Sequence, residues 1–549
     1  MVTASILKQR WISSDPVSIW SLATLFCCLA IIGPFVAILY VAAGDSGGLW
    51  SHLIETVFPR YVGNTLLLMA GVAVLTLAFG LSTAWVTARM DFPGCRLLEW
   101  MLLLPATVPA YLIAYTYTDL LEYAGPVQGA LRDLFGWSSA RDYWFPEIRS
   151  MGGAILVMSA VLYPYVYLMA RTAFRLTPAS YYEAAQLHNR RFVWAVDLPL
   201  ARPAIAAGLA LVLMEVVSDF GTVEYFAVET LTLGIFNVWL GMNNLTAAAQ
   251  IAAVAFVFIL ALLTIERRAR ANQRFTNDGG RSAPVPVRKA TGATALICIL
   301  VCFLPIMLGF LVPVGVLLGF VFQGLSVSEP DTLIASGLNS LLVSFAAAVA
   351  VIGLATVMVL VVTYKKHPII RVLTGISATG YAFPGVVLAI GVVAFSGGVD
   401  ATIQWICDNL LGIPFNGFLI GSVAILVFSY VVRFQAIGYG ALTSGVNRLS
   451  PNIMNASFLL GRSFSNSAVR LAPPLLRKSM LAGGLLVFVD VMEELPMTLL
   501  LRPFNFETLS TYVYQFAKDE LLEEAALAAL AIVIAGLGPV ILMNASQRR

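Results

Sequence analysis

Residues 181–207 read YYEAAQLHNRRFVWAVDLPLARPAIAA, a charged interruption in a chain that is otherwise mostly apolar. Glu183, His188, Arg190, Arg191, Asp197 and Arg202 all fall within it. Thr177-Pro178, just upstream, is a helix start: threonine caps, and proline suits the first helical position, where no N–H bond is lost. Ser180 and Glu183 have capping-box spacing. The stretch therefore predicts a short polar helix, a bend at Leu198-Pro199, and a return into apolar sequence.

What surrounds it sets the fold class. The chain has 549 residues, 59% hydrophobic and 11% charged, where a soluble protein carries about 25% charged residues. The apolar surplus has to face lipid, which predicts an all-α polytopic membrane protein. Spans of about 20 apolar residues are expected near 17–41, 62–88, 97–120, 151–173, 201–223, 246–265, 293–323, 336–363, 370–397, 418–440, 478–501 and 525–544, about twelve transmembrane helices. The run from Val17 to Val41 is longer than a signal-peptide core of roughly 7–15 residues, so it is expected to remain as the first span. Of the 33 basic residues, only Arg60, Arg132, Arg141, Arg149, Arg502 and Lys518 fall outside alternate connecting segments. That bias places both termini in the cytoplasm.

Residues 266–291, ERRARANQRFTNDGGRSAPVPVRKAT, are basic and rich in Gly and Pro. They predict a cytoplasmic linker between two halves, 1–265 and 292–549. The halves repeat. Asn64 and Asn339 open matching spans, and the same spacing joins Pro93 to Pro368, Pro109 to Pro384, Pro199 to Pro474, Arg202 to Arg477 and Gly208 to Gly483. Glu229-Thr230-Leu231 returns as Glu507-Thr508-Leu509. Six spans per half make the repeats parallel, related by an axis along the membrane normal.

Glu183-Ala184-Ala185 followed by Leu198-Pro199 resembles the EAA loop of the membrane subunits of bacterial ABC importers (E-A-A, three residues, Gly, then L-P). Asn189 stands at the Gly position, in a loop spanning about 177–200. The second half has a degenerate copy over about 449–474. Ser450-Pro451 starts it, Asn455-Ala456-Ser457 replaces E-A-A, Gly461 holds the Gly position, and Pro473-Pro474 stands for L-P. The resemblance implies the type I ABC importer transmembrane fold in a bacterial inner membrane. It also implies a homodimeric cytoplasmic ATPase below and a periplasmic substrate-binding protein above. Glu183, Ala184, Ala185 and Asn189, with Asn455, Ala456, Ser457 and Gly461, are expected to contact the two ATPase copies by helix-in-groove docking. No Gly-Lys pair exists in the sequence, so no Walker A loop can form and the chain is not an ATPase by itself. ATP and Mg are expected on the partner, with no cofactor and no nucleic acid bound here.

The span after each loop carries acids: Glu215 and Asp219 at i, i+4 in the first half, Asp490, Glu493 and Glu494 on one face in the second. The repeat aligns Glu215 with Asp490 and Asp219 with Glu494. At roughly 1.5 Å per residue, Glu215 lies about 20 Å in from Arg202. Charge at such depth usually faces a polar cavity; the ordinary alternative is a solvated helix end or a contact with a binding protein. The stretches around these acids resemble the ferric-iron branch of fused ABC permeases, which implies iron(III) as cargo, and carboxylates suit that hard cation. No tight metal site is expected, because a permease must release what it admits. Thiamine, polyamine, sulfate and phosphonate stay open as cargoes. A twelve-span secondary transporter stays open as a class, since it also pairs six-span halves. A membrane enzyme is disfavoured, with no nucleophile–base pair or His/Glu cluster in view. Cys298 and Cys302 share a helix face, a packing pattern rather than a ligand set.

Overall fold

A computed structural model of the chain describes residues 18–188, 192–271, 287–324, 330–415 and 417–547. Among them, ten helices are long and apolar enough to cross a membrane, with an eleventh if the bent pair Cys95–Thr107 and Ala110–Phe135 is one span. The span expected at 478–501 is a helix, Ala472–Glu493. Arg477, Lys478, Asp490 and Glu493 lower its apolarity.

Two expected spans, 97–120 and 370–397, are broken, and at the same place. A residue before proline is pushed out of the helical region. Val108 accordingly lies at φ −110, ψ 114 before Pro109, and Phe383 at φ −97, ψ 140 before Pro384. The first break bends the chain by 92°. The expected bend at Leu198-Pro199 is absent. A π turn, Val193–Asp197, runs straight into the helix Leu198–Ser218, and Ser467–Leu471 does the same before Ala472–Glu493. The wider π turn makes room for the proline that follows, which sits where its missing N–H is not needed.

The chain packs as two units. One holds the helix Ile19–Ala42 with Asp331–Thr511; the other holds Asp45–Pro330 with Tyr512–Val540. The first span of each half thus packs in the unit built mainly from the opposite half. Ile19–Ala42 lies against Pro368–Ser377 and Gly385–Ile406, and Ala293–Gly324 lies against Phe58–Arg89, Cys95–Met101 and Ala110–Leu121. Where the second of these crosses, Gly309 meets the Ala160 carbonyl and the Pro105 ring with no room for a Cβ.

The repeated residues meet in space, once in each unit. Asn64 donates to the Glu229 carbonyl at 3.0 Å, and Asn339 to the Glu507 carbonyl at 3.0 Å. The N–H of Leu231 donates to Thr65 Oγ1 at 3.0 Å, and that of Leu509 to Ser340 Oγ at 2.7 Å. Glu229 pairs with Arg60, and Glu507 with Arg502. Each clasp satisfies backbone groups that no regular helix would, a requirement that apolar surroundings make strict. Of the linker, residues up to Ala271 prolong the helix Leu245–Ala271, and Arg288–Lys289 pair in parallel with Met90–Asp91.

Candidate functional site

Both loops form helices of the same length in the same register, Ala179–Leu187 and Pro451–Leu459. Tyr182 and Ala185 are buried in the first, Met454 and Ser457 in the second. The opposite faces are exposed, and they carry Glu183 and Ala184, and Asn455 and Ala456. The structure therefore splits each motif: Ala185 and Ser457 hold the helix down, and the two residues before each face outward. Ser457 Oγ bonds Ser467 Oγ at 2.8 Å, and Tyr182 packs edge-on against Phe192 at 5.6 Å.

Sequence reasoning missed a residue at the end of each helix. Leu187 is 87% exposed and Leu459 86% exposed. A leucine closing a polar loop helix, twice at one register, was the available signal. Two bare leucines beside outward polar residues form an anchor with a polar rim, the usual anatomy of a docking surface.

The helix starts differ from each other. Ser450 caps the second by accepting from the Asn452 N–H at 3.4 Å. No side chain caps the first: the Thr177 hydroxyl turns back to the Ala173 carbonyl at 2.9 Å, and the expected capping box of Ser180 and Glu183 does not form. Proline at the N-cap already supplies the extended conformation that a threonine cap would have fixed.

The Gly position has a physical explanation. Gly461 sits at φ +80. Its N–H reaches the Phe458 carbonyl at 3.0 Å, and the Arg462 N–H reaches the Ser457 carbonyl at 3.1 Å, the double bond of a Schellman motif. Asn189, at the matching place, lies outside the described residues. Asparagine is the second choice for that conformation. Gly461→Asn is accordingly expected to keep transport near wild type. Gly461→Val, at a cost of about 1–2 kcal/mol or more, is expected to reduce it several-fold, measured as cargo uptake at equal membrane expression.

The acids fall into two groups. Asp219 and Glu494 do not continue a helix face with Glu215 and Asp490, because each helix stops one residue earlier, at Ser218 and Glu493. Each instead caps the next short helix. Asp219 accepts from the N–H groups of Thr222 and Val223, both at 3.1 Å, and from the Thr222 hydroxyl at 2.9 Å. Glu494 accepts from the Met497 N–H at 2.9 Å and from Arg433 at 3.0 Å. Short acidic side chains compete with helix continuation by making such bonds. Glu215, Asp490 and Glu493 are half-buried on their helices. Among the described residues, no group of three or more His, Cys, Asp or Glu could hold a metal ion, and all six cysteines are free.

The chain is similar to known proteins in sequence. Residues 76–269 match the family model for the binding-protein-dependent transport system inner membrane component. Over 505 residues the chain is 24% identical to an Fe(3+)-transport system permease protein of Haemophilus influenzae, covering 89% of this chain and 91% of that one. A putative 2-aminoethylphosphonate transport system permease protein of Salmonella choleraesuis is 28% identical over 40% of this chain and 78% of its own. A sulfate transport system permease protein of Escherichia coli is 29% identical over 44% of this chain and 86% of its own.

Proposed function

We propose, from a chain that is the fused permease subunit of a bacterial binding-protein-dependent ABC importer, that its cargo is iron(III). Such a subunit is a multi-pass inner membrane protein, not an enzyme, and it works with an ATPase and a periplasmic binding protein. The observation that carries the iron reading is coverage. The ferric relative aligns along nearly the whole duplicated chain, whereas the phosphonate and sulfate relatives align with less than half of it. Acidic residues in both halves favour a cation over either anion.

In this reading both termini are cytoplasmic, and a homodimeric ATPase carrying ATP and Mg seats one copy on each loop helix. Glu183, Ala184 and Asn189 meet one copy and Asn455, Ala456 and Gly461 meet the other, while the buried Ala185 and Ser457 hold each helix from beneath. Glu215, Asp490 and Glu493 present carboxylates to passing cargo. Asp219 and Glu494 shape the turns beside them. Nothing here requires tight metal binding, since several half-buried carboxylates can lower the barrier for a cation without trapping it.

The test is uptake of radioactive iron(III) into cells that depend on this chain. Excess unlabelled iron(III) is expected to compete, and thiamine, spermidine, sulfate and 2-aminoethylphosphonate are not. A Glu215→Gln, Asp490→Asn variant is expected to lose most uptake while inserting normally. Uptake of one of the other solutes in place of iron removes the cargo assignment, and unchanged iron uptake in the variant removes the pathway.

A further inference from the structure

Beneath the first loop helix, one carboxylate collects four donors. Asp197 is 1% exposed. It accepts from Trp85 Nε1 at 3.1 Å, from Arg89 Nη2 at 2.8 Å and Nε at 3.3 Å, and from the Tyr182 hydroxyl at 2.5 Å. Arg89 also donates to the Tyr182 hydroxyl and, at 2.7 Å, to the Phe174 carbonyl. The elements joined are distinct. Tyr182 belongs to the loop helix, and Asp197 to the π turn that becomes the span Val193–Ser218. Trp85 and Arg89 end the span Phe58–Arg89, and Phe174 lies near the end of the span Met151–Leu176. Burial first, then the hydrogen bond and charge of Asp197, raise the Tyr182 pKa above the ordinary tyrosine value, so the hydroxyl stays a donor.

The second half has none of this. The repeat places Leu360 where Trp85 stands, Tyr364 for Arg89, Met454 for Tyr182 and Ala472 for Asp197. Leu360 and Ala472 belong to an apolar cluster with Leu442, Val446 and Leu476, and Tyr364 packs at its edge. One loop helix is therefore fastened by an ion pair that is almost fully enclosed, and the other by the buried Met454 and a serine pair. These fastenings differ in kind. An ion pair with fixed geometry holds one arrangement, whereas apolar contacts permit sliding.

The geometry points to Asp197 as a positioning residue that locks the first loop helix to three membrane spans, so that the two loop helices transmit ATPase motion unequally. The inference deepens the importer reading and rests on it. It needs no assumption about the cargo beyond its being transported.

The experiment uses the whole importer, co-purified with its ATPase and reconstituted in liposomes with the binding protein, using iron(III) as the transported probe. In Asp197→Asn the ATPase is expected to stay bound at the wild-type ratio and to hydrolyse ATP. Cargo moved per ATP is expected to fall roughly tenfold, within the range of ordinary coupling energies. Amide exchange in 179–187 is expected to rise while that in 451–459 stays unchanged. Asp197→Glu is expected to recover part of the loss. Tyr182→Phe, which removes one donor and keeps the ion pair, is expected to show the same pattern more weakly, and it carries the test if Asp197→Asn does not fold. Wild-type cargo per ATP in these variants overturns the inference, and so does equal loosening of both loop helices. Absence of ATP-driven iron(III) transport by the unmutated complex counts instead against the cargo assignment, and absence of any stimulation of its ATPase by the binding protein counts against the importer reading.

Discussion

Glu494→Ala is expected to lower the stability of the chain by about 3–5 kcal/mol, the usual result of stranding one member of a buried ion pair. Arg433 and Glu494 have side chains only 7% and 5% exposed. Glu494 also caps the Met497 N–H, and its carbonyl accepts from the hydroxyls of Thr498 at 2.7 Å and Ser510 at 2.8 Å. Removing the carboxylate takes a buried partner from the Arg433 guanidinium and uncaps a short helix, two costs from one change. The first half shows how to do without the pair. Met158, 1% exposed, stands where the repeat places Arg433, and Asp219 caps its helix with no arginine. Arg433→Met with Glu494→Asp copies that solution and is expected to recover most of the loss. Thermal unfolding in detergent measures both. A Glu494→Ala protein as stable as wild type, or a double variant worse than the single one, contradicts the account.

Leu187→Asp with Leu459→Asp is expected to abolish retention of the ATPase while leaving the chain folded and inserted. Both leucines are almost fully exposed in the isolated chain, so the permease loses no internal packing when they change. In a docked complex each would be an apolar anchor at the end of its helix, and truncating such an anchor costs 2 kcal/mol or more, roughly a thirtyfold loss of affinity per site. A carboxylate adds a desolvation cost on top. In the proposed assembly the two sites act on one ATPase dimer, so their losses multiply through effective concentration. The single variants are expected to weaken co-purification and the double variant to eliminate it. Glu183→Arg is expected to do less: it lies on the polar rim, and its effect should appear as transport uncoupled from ATP hydrolysis with the ATPase still bound.

Much of this was legible in the residues, for identifiable reasons. The spans follow from the length of apolar runs, and the two loops from charge and proline inside such runs. Asn64 and Asn339 could be paired as repeat partners because identical residues recur at one spacing. That each reaches the carbonyl of the repeated glutamate needed the structure. The breaks at Val108-Pro109 and Phe383-Pro384 were written in the proline rule, but uninterrupted apolarity on both sides hid them. The bend expected at Leu198-Pro199 failed because a π turn absorbs the proline, an adjustment that no residue pattern announces. Asp219 and Glu494 were placed on helix faces by periodicity, which cannot see that an acid at a helix end caps the next helix. The exchange of first spans between packing units, and the four donors around Asp197, join residues distant in sequence. Trp85, Arg89 and Tyr182 carry no local mark of it.

In the proposed assembly an external ATPase, seated on the two loop helices, drives transport through this chain. The most direct measurement is iron(III) uptake into liposomes holding the chain with its binding protein, with and without the co-purified ATPase, in the presence of ATP or of a proton gradient. Uptake is expected only with both ATPase and ATP, unaffected by a proton uncoupler. Uptake by the chain without the ATPase, abolished by the uncoupler, would contradict it and identify a secondary transporter.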